Sequence, residues 1–179
     1  VNLQFHREIV RDSLSFSDSD VPPGTYDFFD IKYMLFFKPG TRLGGMIMGD
    51  LGQFFDGWRF SANLQPKISL SPSLDLNPTY RFDNVNFSER GQNFTNHILG
   101  VKAIWMLSTK VSFTSFTQYN TSIESWLINL RFRYNPREGN DFYLVYNEGL
   151  NTNLNREIPV LPRSQSRVIL AKYTYTFGF

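Results

Sequence analysis

The chain has 179 residues, no cysteine, 17 % aromatic and 19 % charged side chains, and a net charge of +2. The aromatic density excludes a disordered tail, zero cysteine excludes a disulfide scaffold or thiolate metal site, and the charge is too small to mark a nucleic-acid binder. No stretch approaches the roughly 20 apolar residues of a membrane helix, yet the mean hydropathy of -0.29 is also ordinary for a transmembrane β-barrel, whose strands alternate apolar and polar residues.

Val1-Asn2-Leu3-Gln4-Phe5 has neither a basic start nor an apolar core segment, so the numbering is expected to begin after processing or partway into a longer protein. Helix signals are nearly absent, and period 2 recurs instead. Strands are expected over about ten segments: 1–10, 25–37, 42–55, 58–65, 68–87, 93–107, 110–119, 125–134, 141–148 and 166–179. The alternation is plain in Phe29, Ile31, Tyr33, Leu35 and Phe37, with Asp30 and Lys32 between them. It continues in Trp58, Phe60, Ala62 and Leu64, and in Leu74, Leu76, Tyr80 and Phe82. Leu99, Val101, Ala103, Trp105 and Leu107 follow, then Trp126, Ile128, Leu130, Phe132 and Tyr134. The last stripe is Ile169, Ala171, Tyr173, Tyr175, Phe177 and Phe179.

Turn chemistry separates these runs at Lys38-Pro39-Gly40, Asp56-Gly57, Pro66-Lys67, Ser88 to Gly91, Leu107-Ser108-Thr109 and Asn135 to Asn140. Asp56-Gly57 is a tight-hairpin pair. Two longer connections, 11–24 and 149–165, are expected on one side of the sheet, as loops are on membrane barrels. Three details run against the pattern. Pro72 and Pro78 fall inside the fifth strand, where a bulge or extended loop is expected. Phe28, Met34 and Phe36 put apolar groups on the polar face, and Phe142 to Tyr146 has no clear polar face.

The reading is therefore all-β, an antiparallel transmembrane barrel of about ten strands in one domain, 1–179. Stripes of up to six members exceed the ~5–6 residue strands of soluble sheets, and Trp58, Trp105, Trp126, Tyr134 and Tyr173 mark stripe ends as interfacial girdles do. Phe29, Ile31, Tyr33, Leu35, Trp105, Ile128, Leu130, Phe132, Tyr173 and Tyr175 are expected to face lipid. The basic set Lys32, Arg42, Arg59, Arg81, Lys102, Arg131, Arg133 and Lys172 alternates away from the apolar stripes and is expected to face the lumen. There it either forms a structural network with Asp30, Asp75, Asp83 and Glu148, or lines an anion-favouring pore. The final Tyr173, Tyr175, Phe177 and Phe179 are expected to act as a C-terminal assembly signal.

The segment Asn129 to Gly149 (NLRFRYNPREGNDFYLVYNEG), followed by Leu170 to Phe177 (LAKYTYTF), resembles the C-terminal end of a group of Bacteroidota outer-membrane proteins. Phe113 to Asn120 and Phe54-Phe55-Asp56-Gly57 match its pattern less specifically. Members of that group pair an N-terminal module similar to family-9 carbohydrate-binding modules with a large C-terminal barrel of unassigned function. The resemblance implies an outer-membrane location and a barrel with more strands on the N-terminal side. It implies as partners the lipid bilayer, the barrel-assembly machinery and other outer-membrane subunits. The carbohydrate-binding module is not in this chain, so a link to glycan handling would reside in a missing N-terminal part.

No catalytic constellation, cofactor motif or metal spacing stands out. His97 with Ser112 or Ser115 is the one pair a barrel hydrolase could use, and a hydrolase or a soluble β-sandwich binding module are the alternatives. Asp18, Asp20, Asp27 and Asp30 lack the spacing of a calcium loop and read as a solvated acidic stretch. Asn-x-Ser/Thr triplets at Asn86, Asn93 and Asn120 carry no weight. The function expected is non-enzymatic: a channel, receptor or membrane scaffold.

Overall fold

A computed structural model describes residues 1–16, 19–37 and 42–177. The turn at Lys38-Pro39-Gly40, Asp18 and Phe179 lie outside the described residues. Strands dominate: Asn2–Val10 (β1), Leu14–Phe16 (β2), Ser19–Val21 (β3), Gly24–Phe37 (β4), Leu43–Phe54 (β5) and Gly57–Ser71 (β6). Leu74–Phe87 (β7), Gln92–Met106 (β8), Val111–Asn120 (β9), Ser125–Arg137 (β10), Asn140–Asn151 (β11) and Ser164–Tyr175 (β12) complete them. Ten form one antiparallel meander in the order β1-β4-β5-β6-β7-β8-β9-β10-β11-β12, and β2 and β3 form a separate hairpin. β1 and β12 are the two edges of an open sheet.

Each expected strand corresponds to one strand of the large sheet, with four local corrections. Pro66-Lys67 is not a turn: β6 runs through it to Ser71, and the turn is Pro72-Ser73. Pro66 and Pro78 come opposite each other in the β6–β7 register, and pairing is interrupted there between Leu64–Tyr80 and Ile68–Leu76. Two residues without N–H groups share one gap in the ladder, which leaves the outer pairing of each strand intact. Of the two prolines where a bulge or loop is expected, Pro72 lies in the turn and Pro78 within β7, and the register shift falls between Ser69 and Ser71. The hairpin turn at the end of β5 is Phe55-Asp56 rather than Asp56-Gly57, with Phe55 at φ 55°. Its ring is held in that left-handed conformation against Tyr26, Phe28 and Phe54. The Asn135–Asn140 turn contracts to Glu138-Gly139, because β10 extends to Arg137 past a bulge. The connection 11–24 is not only loop, since it carries the β2–β3 hairpin.

Both long connections, 11–23 and 152–163, leave the same end of the sheet, called here the loop end, which also carries the short turns 55–56, 88–91 and 121–124; the opposite, turn end carries short connections at 72–73, 107–110 and 138–139. The strands are also staggered. Cross-strand partners starting at Leu3, one residue from the turn end of β1, run through Ile31, Leu51, Phe60 and Asn84 to Thr95, three residues from the loop end of β8. Continuing from Trp105 through Phe113, Phe132 and Leu144, the line reaches Ala171 in the middle of β12. The drift is slightly more than one residue per strand. With a rise of about 3.4 Å and a strand spacing of about 4.8 Å, that is a tilt of roughly 35–40°.

The core is small and sits on one face at the loop end. Val21 of the hairpin is fully buried against Val85 and Phe87, with Val10, Tyr26, Phe54, Phe55 and Phe94 packed around them. Asp20 accepts a 2.7 Å hydrogen bond from Gln92, tying the hairpin to β8. Phe28, out of pattern in the sequence, belongs to the same end, buried beneath the stacked ring of His6. Met34 and Phe36, the other two exceptions, remain exposed on the polar face toward the turn end.

Candidate functional site

Register assigns every strand residue to a face, because paired residues share one. On one face lie Leu3 and Phe5 of β1, Phe29, Ile31, Tyr33 and Leu35 of β4, and Leu51 of β5. Trp58, Phe60 and Leu64 of β6 continue it, with Tyr80 and Phe82 of β7. Leu99, Val101 and Trp105 of β8 follow, then Phe113 of β9. Ile128, Leu130, Phe132 and Tyr134 of β10, Leu144 of β11, and Ile169, Tyr173 and Tyr175 of β12 complete the face. All ten residues expected to face lipid are on it.

No second sheet covers this face among the described residues. Leu3, Ile169 and Tyr173 are 68 %, 67 % and 61 % exposed. The chain shows 12172 Å² of accessible surface, where a compact soluble monomer of this mass shows about 9,000 Å². Charge is kept to the rims. Among the described strand residues of the face, the charged members are Arg7, Asp27, Glu148 and Arg167 at the loop end and Arg137 at the turn end. Each rim charge is engaged: Arg7 Nε donates to Asp27 at 2.7 Å, and Arg137 donates to the Tyr175 hydroxyl at 3.0 Å. Glu148 accepts from Arg167 Nε at 3.0 Å, from Ser164 at 3.1 Å and from the Tyr146 hydroxyl. Between the rims the side chains are uncharged. From Trp126 to Tyr134 the stripe on β10 runs about 27 Å along the strand, or about 21 Å of height at the tilt above.

Seven of the eight expected inward cations lie on the opposite, polar face: Lys32, Arg59, Arg81, Lys102, Arg131, Arg133 and Lys172. Arg42 does not. It sits at the bend before β5, where its carbonyl accepts from Ser69 N–H at 2.8 Å. Four carboxylates were expected to pair with these cations. Asp83 does so fully, accepting from Arg59 at 3.1 Å and from Arg81 Nε at 2.6 Å. Asp75 meets Lys67 at 3.9 Å, and Asp30 lies 3.4 Å from His6 Nε2. Glu148 is on the apolar face, because it falls one residue out of step with Asn147 and Asn151 on β11. Two anions not singled out in the sequence take its place. Asp50 receives the Ser61 hydroxyl at 2.8 Å and lies 3.8 Å from Arg59, and Asp141 lies 2.7 Å from Arg133.

The Asp50–Ser61 link occupies a second opening in the ladder, between β5 and β6. Asp50 N–H donates to Ser61 Oγ at 3.0 Å, and the Tyr33 hydroxyl crosses from β4 to donate to the Ser61 carbonyl at 2.8 Å. The crossing passes over Gly49, where a β-carbon would run into that carbonyl. Lys32, Asp50, Ser61, Asn63 and Arg81 line a cavity of about 410 Å³ beside this link.

The hydrolase pair does not assemble. His97 is on the apolar face, its Nδ1 2.9 Å from the Tyr80 hydroxyl. Ser115 pairs with Ala103, six residues along β8 from His97 and about 20 Å away, and Ser112 is on the polar face. Of the acidic stretch, Asp20, Asp27 and Asp30 engage Gln92, Arg7 and His6 separately. In the C-terminal set, Tyr173 and Tyr175 lie on the apolar face, and Phe177 follows β12 with its ring edge-on to Tyr175 at 4.6 Å. No family model, curated protein or solved structure matches the chain.

Proposed function

We propose that this sheet is the wall of a bacterial outer-membrane β-barrel, with its apolar face in lipid and its polar face toward the lumen. It would serve as a non-enzymatic channel, receptor or scaffold. One observation carries the reading: a largely apolar face that no second layer covers among the described residues, with charges only at its two rims, backed by a face where cations and carboxylates sit in mid-strand. A sheet in water shows its polar face and hides the apolar one, whereas a sheet in lipid must do the reverse.

Three features support it. The stagger matches the 35–45° tilt of barrel strands. Aromatic residues edge the face toward both ends, with Trp58, Phe60 and Trp126 toward the loop end and Trp105, Tyr134, Tyr173 and Tyr175 toward the turn end. Both long connections leave one end, as the longer extracellular loops of barrels do, and that end also carries the short turns 55–56, 88–91 and 121–124. The resemblance to the Bacteroidota barrels agrees with this reading and would supply further strands on the N-terminal side. The ion network around Asp83 on the polar face favours a receptor or scaffold role over a wide pore.

Membrane fractionation and gel migration test the proposal. The chain is expected to sediment with outer membranes and to migrate faster unheated than boiled. Recovery as a detergent-free soluble monomer, unchanged in migration by heating, would overturn it.

A further inference from the structure

The polar face divides into two electrically different halves. On β1 to β7 the face carries four cations, Lys32, Arg59, Lys67 and Arg81, and five carboxylates, Glu8, Asp30, Asp50, Asp75 and Asp83; Arg59, Lys67 and Arg81 are ion-paired. On β8 to β12 there are again four cations, Lys102, Arg131, Arg133 and Lys172, but one carboxylate, Asp141, and Arg133 already holds it at 2.7 Å. Lys102, Arg131 and Lys172 have no ion pair and no side-chain hydrogen bond among the described residues, and all three are exposed.

Their positions are related by the stagger. Lys102 pairs with Phe116, which pairs with Asn129; Arg131 is two residues further toward the turn end. Arg131 pairs with Val145, which pairs with Leu170; Lys172 is again two residues further toward the turn end. Cross-strand lines drift toward the loop end by slightly more than one residue per strand. Two residues back over two strands therefore restores the height. The three cations stand on alternate strands β8, β10 and β12 at one level of the wall, with about 12 Å between successive Cα atoms. The cross-strand partners of Arg131 are Thr114 and Val145, neither of which carries a countercharge.

We infer that Lys102, Arg131 and Lys172 form a level strip of anion stations on the lumenal wall, which takes phosphate-type oxyanions. The inference rests on the barrel reading, which makes the polar face a wall rather than an open surface. Rings of Lys and Arg at one height select anions in pores, and an Arg fork suits an oxyanion while flanking lysines add point charge. Arg133 is excluded from the strip because Asp141 neutralises it.

Pyrophosphate at low millimolar concentration is the probe, and the full chain folded in detergent is the sample. Wild type is expected to unfold about 3–6 °C higher at ten times the dissociation constant. The triple variant Lys102→Gln, Arg131→Gln, Lys172→Gln should lose that rise, and each single variant should reduce it. Arg133→Gln should unfold at lower temperature without ligand and keep the rise. An equal rise in wild type and the triple variant, or none in wild type, overturns the strip while a heat-modifiable folded form upholds the barrel. A chain with no heat-modifiable form in detergent overturns both.

Discussion

Placing a charge at the centre of the apolar face separates lipid from water as its surroundings. Leu130 lies on β10 four residues from Trp126 and four from Tyr134, so it stands about 14 Å along the strand from either aromatic edge. At the observed stagger this is a depth of about 10–11 Å, close to the midplane of the apolar band. Its cross-strand neighbours are Ser115 and Tyr146, neither of them a carboxylate. In lipid, Leu130→Arg should destabilise the fold by about 2–4 kcal/mol, a factor of roughly 30 to 1,000 in the folding equilibrium. On a water-facing sheet the same change falls within about 0.5 kcal/mol. Leu127→Arg is the matched control. It lies on the polar face of the same strand, is 47 % exposed, and has Gln118 and Gly149 beside it. Urea titration of chain refolded into lipid vesicles, read by heat-modifiable migration, measures both. Equal stability of the two variants would refute the assignment of faces.

Asp83→Asn should cost about 1–3 kcal/mol in the same assay, because Arg59 and Arg81 lose their shared carboxylate at a side chain only 10 % exposed; an unchanged midpoint would show that the network holds nothing together. Val21→Asp should detach the β2–β3 hairpin, since a carboxylate cannot replace a fully buried side chain packed on Val85 and Phe87; protease cleavage within 11–23 should rise while the large sheet stays intact. Phe177→Ser with Phe179→Ser should lower outer-membrane insertion without lowering synthesis, and normal membrane levels of that variant would count against the assembly signal.

The large sheet was legible because period 2 survives in nearly every strand. Six stripes such as Trp126 to Tyr134 carry enough apolar positions to fix both the strand and its apolar face. The errors have local causes. Pro66-Lys67 has the composition of a turn, yet a proline opposite another proline sacrifices only a pairing that Pro78 had already lost. Asp56-Gly57 has the composition of a hairpin, but ring packing around Phe55 moved the turn back one residue. At three residues each, β2 and β3 are too short to show a period, and only the burial of Val21 reveals why they form. The ion network was half legible. Mid-strand cations identify the polar face, but which carboxylate each one meets depends on register, and register moved Glu148 to the other face and brought Asp50 to Arg59.

The edges β1 and β12 supply the last test, since the membrane reading makes a demand that the open sheet does not meet. β12 has twelve residues, and alternation turns about half of their N–H and C=O groups away from β11. In lipid each unsatisfied group costs several kcal/mol, so a bare β12 would be destabilised by tens of kcal/mol, far beyond the stability of any domain this size. A bare edge in water costs little, because solvent satisfies it. The outward edges of β1 and β12 must therefore be paired in a bilayer, with each other or with strands of a longer chain, and the apolar face then continues around the barrel. Hydrogen exchange on vesicle-embedded protein reads this directly. Amides of 166–175 that point away from β11 are expected to exchange as slowly as those of β10, whose two sides are paired with β9 and β11. Fast exchange at alternate residues of β12, with β10 protected, would mean that the edge stays open to water and that the sheet does not close around a lumen.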